Sequence, residues 1–280
     1  MTVDAQPNPA TPTPAYTFDN DDPAAAERLD LLSAVLDGFT ISRLSGLGDL
    51  TGRRCLELGA GNGSVAGWLA DQAGPSGHVV ATDINTRHIP TDRGYRVVRH
   101  DLARDSLPDG PWDLIHARLV LRHLPGRHDI LRRLVAALAP GGVLAIGEWD
   151  AYRGGLVLAA PESEAVRLFH AYMDSVEQVL QDARAVDVEW PWQVHAAMAS
   201  AGLVDVDTVV HACSWPGGSA GALHHAATIS LLRTRILASG MTGEQLDRLC
   251  GFLRDPRMVV RSLLSTLTVG RRPGTRLRTG

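Results

Sequence analysis

From about residue 52 to residue 150, short apolar runs alternate with stretches whose apolar positions recur every three or four residues. The runs at 54–58, 78–82, 95–99, 112–116 and 143–147 predict five strands. Helical spacing predicts helices at 64–72 and at 130–138, the latter with Leu131, Leu134, Val135 and Leu138 on one face. Pro140-Gly141-Gly142 then reads as a helix stop. Strands that alternate with helices predict an α/β fold, a parallel sheet covered on both faces.

The flanks read differently. Residues 1–15 are rich in Pro, Thr and Ala without apolar period, and are expected to be a disordered tail. Leu29, Leu32, Leu36 and Phe39 recur at helical spacing after Asp22-Pro23, which gives residues 16–51 as an N-terminal helical lid. Beyond Trp149 the pattern turns mostly helical. Val166, Phe169, Met173, Val176 and Leu180 form a stripe within 161–182. Helices are expected at 192–201, stopping at Gly202, and at 221–238 and 242–252. Strands are expected at 204–213 and 262–271.

Composition narrows the partners. The chain has 280 residues, 45% of them hydrophobic, which is enough for a substantial core. Its net charge is −4, so no global field attracts nucleic acid. All 27 basic residues are Arg, which removes lysine Schiff-base and P-loop lysine chemistry. Cys55, Cys213 and Cys250 are far apart and odd in number, with neither metal-ligand spacing nor a disulfide framework. No basic-then-apolar leader and no membrane-length apolar run is evident, and the expected compartment is the cytoplasm, with no membrane partner.

The candidate chemistry lies in Cys55-Leu56-Glu57-Leu58-Gly59-Ala60-Gly61-Asn62-Gly63, a strand followed by a glycine-rich turn and a helix start. Glycines there let backbone approach a ligand, and the helix N-terminus offers unpaired N–H groups. A dinucleotide fingerprint needs a third glycine at position 64, but that residue is Ser64. The third glycine comes one residue earlier, giving E-x-G-x-G-x-G. Asp83, twenty residues past Gly63, stands at the second strand's end, where a carboxylate accepts ribose hydroxyls. The third strand ends in Arg99-His100-Asp101-Leu102, and the fourth runs on into Ala117-Arg118-Leu119-Val120-Leu121-Arg122-His123-Leu124-Pro125.

Together these motifs resemble class I S-adenosylmethionine-dependent methyltransferases, in particular their small-molecule branch. The match runs from about Tyr16 to Glu148 and resumes at Val269-Gly270-Arg271-Arg272, which looks like the family's antiparallel last strand. The resemblance implies a Rossmann-like seven-stranded, mostly parallel sheet, with residues 52–280 as the methyltransferase domain and helical cap insertions at about 151–200 and 218–258. It implies S-adenosyl-L-methionine as cofactor, with Gly59, Ala60 and Gly61 near its amino-acid portion and Glu57 ordering that loop. Asp83 and Ile84 would face the ribose, and Asp101 and Leu102 the adenine.

Methyl transfer to a hydroxyl calls for alignment and a base, and histidine is the usual base near neutral pH. His123 is the first candidate and His170 the second, with Arg118 able to hold an anionic group. Tyr16, Phe18, Trp149, Phe169, Met173 and His224 are the candidate acceptor pocket. The apolar stripe of 161–182 reads first as core packing, and otherwise as a cap over the site or a homodimer interface. No metal site is expected. The Asn/Asp-Pro-Pro-aromatic run of base-methylating enzymes is absent, so the expected acceptor is a small molecule, a specialised metabolite, methylated on oxygen. The alternatives are a cofactor-binding protein of this fold with a non-methylating role, such as a cyclase, and a nicotinamide-dependent oxidoreductase.

Overall fold

The computed structural model describes residues 24–150, 154–182 and 187–274. The expected tail, Tyr16 and Phe18 lie outside them. Five strands run parallel: β1 (Arg54–Leu58), β2 (His78–Asp83), β3 (Arg96–Arg99), β4 (Trp112–Arg118) and β5 (Leu138–Asp150). Two more, β7 (Val204–His211) and β10 (Leu264–Arg271), complete a seven-stranded sheet in the order β3-β2-β1-β4-β5-β10-β7. β10 runs antiparallel to both of its neighbours, as the resemblance implied.

The central strands are buried on both faces, so they read as largely apolar runs, yet their side chains still alternate. Cys55, Val79, Leu114 and Val143 point into one core, which holds α2 (Ser64–Ala73) and Leu44 of α1 (Ala24–Ser45). Leu56, Val80, Ile115 and Leu144 point into the opposite core, against α3 (Arg127–Ala137) and α5 (Trp190–Ser200). Helix α5 therefore belongs to the layer that covers the sheet. The sequence reading had placed it in a cap insertion, because its apolar residues do not reveal which partner they meet.

A third core forms the cap. It joins the inner face of α1 to α4 (Ser163–Asp182), α6 (Ala220–Ala238) and α7 (Gly243–Phe252). A three-stranded antiparallel sheet of β6 (Val157–Ala159), β9 (Val259–Arg261) and β8 (Ser214–Pro216) closes it. These strands of three residues were not foreseen, since so short a run carries no period. The Pro-Gly-Gly turn is also reassigned. β5 runs through it because Gly141 donates to the Arg272 carbonyl (3.0 Å) and Gly142 accepts from Arg272 (2.8 Å).

Candidate active site

The chain crosses from β3 back past β1 to start β4, so the strand order reverses between β1 and β4. In open α/β sheets ligands bind beyond the strand ends at such a reversal. A cavity of about 830 Å³ opens there, between the sheet and the cap. This size falls within the range for small-molecule sites.

The glycine loop forms its floor. Gly59, Gly61 and Gly63 have φ of 66°, 60° and 79°, in the left-handed region. Gly59 also lies under the segment that follows β4, and a Cβ there would stand 2.3 Å from Val120 Cγ2. Two bonds stitch the loop to the end of β2: Ala60 N–H donates to the Thr82 carbonyl (2.9 Å), and Gly61 N–H donates to Asp83 Oδ2 (3.0 Å). The other oxygen of Asp83 accepts from Asn85 N–H (3.0 Å). Burial raises the pKa of Asp83, against the pull of the N–H donors of Asn85, Gly61 and Ile84 and the charge of His88. Asp83 is thus a buried acceptor on the cavity wall with lone pairs to spare.

Ile84 beside it is 51% exposed, and Trp192 across the cavity is 49% exposed. Such large apolar side chains, left wet in a concave site, suit a ligand that covers them. Asp101 and Leu102 line the wall beyond β3. Asp101 accepts from Ala103 N–H (3.0 Å) and pairs with Arg104 (3.6 Å), so an Asx turn holds its carboxylate.

Helix α1 roofs the loop through polar contacts. Asn62 donates to Asp30 (2.9 Å), Ser33 donates to Asn62 Oδ1 (2.9 Å), and Ser64 donates to Asp37 (3.2 Å). Arg118 lines the cavity and is held by Asp37 (2.9 Å) and Thr40 (3.1 Å), so its charge is already matched.

At the cap end the cavity is lined by Trp149, Met173 and His224, three of the candidate pocket residues, together with Arg28, Tyr172, His225 and Thr228. His224 sits edge-on to Trp149 (5.4 Å between centroids) and is 5% exposed, with neither ring nitrogen hydrogen-bonded. His225 Nδ1 meets the Tyr172 hydroxyl at 3.3 Å. Burial holds both imidazoles neutral: His225 is pushed down to about 4, and His224 falls well below its usual value under burial and the charges of Arg28 and His225. Glu148, next to Trp149 on β5, is buried, and burial lifts it to about 7 against the charge of Arg122. Glu148 accepts from Arg122 N–H (3.2 Å), and the Arg122 guanidinium bonds the Trp149 carbonyl.

Three expected site residues stand elsewhere. Glu57 is buried beneath the loop, where its carboxylate meets His116 Nδ1 at 2.7 Å instead of facing the cavity. Phe169 is fully buried behind Tyr172 and His225 and supports the wall without lining it. His170 is exposed, one position round the helix from the inward stripe, and does not line the cavity where a base would act. His123 does line the cavity, half-buried on the short 3-10 turn Leu121–His123 after β4. Arg28, Arg122, Glu148 and Thr228 were missed. Only Arg28, a cation beside the Leu29 and Leu32 stripe, left a signal in the pattern.

Among the described residues no cluster could hold a metal ion, and no helix is long and apolar enough to cross a membrane. A glycine cradle and a strand-end acid at the reversal of a parallel sheet define an α/β protein that binds a nucleoside cofactor. Residues 35–200, over half of the chain, match the family described as "Methyltransferase domain", and the chain belongs to that family.

Among curated proteins it is 32% identical over 146 residues to methyltransferase str3 of Strobilurus tenacellus, covering 51% of each chain. It is 30% identical over 145 residues to the ubiquinone/menaquinone biosynthesis C-methyltransferase UbiE of Pseudomonas fluorescens, covering 45% of this chain and 56% of that one. The matched stretches thus span about half the length of these relatives. Among solved structures, Haemonchus contortus phosphoethanolamine N-methyltransferase 2 in complex with S-adenosyl-L-methionine shares the fold. Its TM-score is 0.55 at 14% identity, covering 92% of this chain and 60% of that one.

Proposed function

We propose that this protein transfers a methyl group from S-adenosyl-L-methionine to an oxygen of a small organic acceptor, a specialised metabolite. The observation that carries the reading is the cradle of Gly59, Gly61 and Asp83. Its floor admits no side chain at Gly59, and its wall offers a buried carboxylate, a group that would accept ribose hydroxyls. In this reading Gly59, Ala60 and Gly61 hold the cofactor's amino-acid part, Asp83 and Ile84 its ribose, and Asp101 and Leu102 its adenine. When bound, S-adenosyl-L-methionine supplies an electrophilic methyl carbon on a sulfonium leaving group. The protein's own work is then alignment and exclusion of water, which contribute as much as about 7–11 kcal/mol in favourable cases. The cap supplies the enclosure, and Trp149 and Met173 the apolar wall. His123, half-buried on the cavity wall, receives the acceptor's proton and passes it to solvent.

Calorimetry with S-adenosylhomocysteine tests the reading. Asp83→Ala is expected to weaken binding about ten- to a hundredfold, the worth of hydrogen bonds to a charged group, and to leave the circular dichroism spectrum unchanged. Equal affinity in the variant would remove the assignment. His123→Ala is expected to lower turnover while S-adenosylhomocysteine affinity stays constant, and parental turnover would exclude it as the proton acceptor.

A further inference from the structure

The cap end of the cavity holds buried polar atoms that the cofactor reading leaves unused. Both ring nitrogens of His224 and Nε2 of His225 have no hydrogen-bond partner, although the two residues are only 5% and 3% exposed and both line the cavity. An unbonded nitrogen in a dry site costs free energy, and a ligand that bonds it recovers that cost. Arg28 and Glu177 line the same cavity with opposite charges, and each has a partner of its own. The two imidazoles are uncharged, because burial holds them so. A neutral imidazole offers one N–H donor and one nitrogen acceptor, and a hydroxyl group matches that pair by taking one hydrogen bond and giving another.

The walls around His224 are aromatic and firmly backed. Trp149 stands edge-on to His224 at 5.4 Å between centroids, and Tyr172 stands edge-on to His225 at 5.7 Å. All four rings line the cavity. Behind them Phe169 lies 5.1 Å from the His225 ring, and Trp215 lies 6.4 Å from Trp149 and 5.8 Å from His225. The Tyr172 hydroxyl, 3.3 Å from Nδ1 of His225, fixes that ring further. Rings packed in this way offer faces and edges on which one more ring settles, and packed neighbours keep the hydrogen-bonding groups aimed.

We propose, resting on the methyltransferase reading, that His224 selects the methyl acceptor by hydrogen-bonding the un-ionised hydroxyl of an aromatic compound whose ring lies among Trp149, Tyr172 and Met173. His224 is thus a specificity-determining residue. An aromatic molecule without the hydroxyl fills the same walls but leaves both nitrogens unbonded, and a site built for a hydroxyl discriminates strongly against such an analogue. An ionised hydroxyl would satisfy the N–H alone, and its charge would be buried beside an uncharged ring.

The test uses 2-naphthol and 2-methylnaphthalene, in which a methyl group stands in the place of the hydroxyl. The protein is first saturated with S-adenosylhomocysteine, and the affinity of each probe is read by equilibrium dialysis at neutral pH, where free 2-naphthol is un-ionised. A methyl group is the more hydrophobic, so the measure is the ratio of the two affinities, parent against variant. His224→Phe is expected to lower the 2-naphthol to 2-methylnaphthalene ratio at least about tenfold with S-adenosylhomocysteine affinity retained. His224→Gln, whose amide also gives and takes a hydrogen bond, is expected to restore part of it. In the parent protein, nitrogen-15 NMR signals of a buried imidazole are expected to shift with 2-naphthol and to stay in place with 2-methylnaphthalene, while bound 2-naphthol keeps the absorption band of its neutral form. An unchanged ratio, imidazole signals that respond alike to both probes, an anionic band, or no binding of either probe overturns the proposal. Failure to bind S-adenosylhomocysteine, seen before any probe is added, overturns instead the methyltransferase reading.

Discussion

Gly59 bears two demands that no other residue type meets together. Its φ of 66° costs an L-residue about 1–2 kcal/mol, and a Cβ there would drive into Val120. Gly59→Ala is therefore expected to abolish S-adenosylhomocysteine binding and to lower the melting temperature. Adding Val120→Ala should return part of the lost stability by removing the clash, while the backbone strain persists. Thermal melts of the two variants, without ligand, check this. Glu148 gives a second prediction, of stability against pH. Its pKa rises from the usual 4.5 to about 7 on folding, so the folded state keeps a proton that the unfolded state releases earlier. Its contribution is fully present below about 4.5 and is lost as pH climbs to 7 and beyond, on the order of a few kcal/mol at most. Glu148→Gln is expected to flatten that slope in urea denaturation across this window.

Helix α1 is the element that couples loop and cap. Its apolar residues Leu32 and Leu36 belong to the cap core, while Asp30, Ser33 and Asp37 bind the glycine loop and Arg118. Asp37→Ala is expected to cost roughly 1 kcal/mol and to weaken S-adenosylhomocysteine severalfold, because it releases both Ser64 and the partly buried Arg118. A double-mutant cycle with Arg118→Ala measures the coupling. The apolar stripe of this helix was legible in the sequence, and so were the five parallel strands, since burial on both faces writes short, largely apolar runs. The polar seam was not legible. Asp30, Ser33 and Asp37 look like an ordinary solvated face until the loop is seen to occupy it. β6, β8 and β9 were hidden by their length, and α5 by an apolar face that names no partner. Glu57 was placed under the glycine loop, but its partner His116 was not legible, because a carboxylate there can turn either up to a ligand or across to a neighbouring strand.

At the scale of the whole molecule, two apolar cores sandwich the sheet and a third builds the cap, and the cavity is the space between sheet and cap. The half that we assign to the cofactor is made of strand ends, and its lining residues stand at the motif positions. The cap end of the cavity is assembled from α1, α4, α6 and β5; Trp149, Met173 and His224 were legible there as pocket candidates, whereas Arg28 and Thr228 were not. The mouth carries one further consequence. Ile84, Val188 and Trp192 present wetted hydrocarbon and indole surface to solvent, and any guest that enters must strip that water away. Dehydration of this kind gives association a negative heat capacity. Warming therefore makes the heat of complex formation steadily more exothermic, while the binding constant itself traces a curve with a maximum.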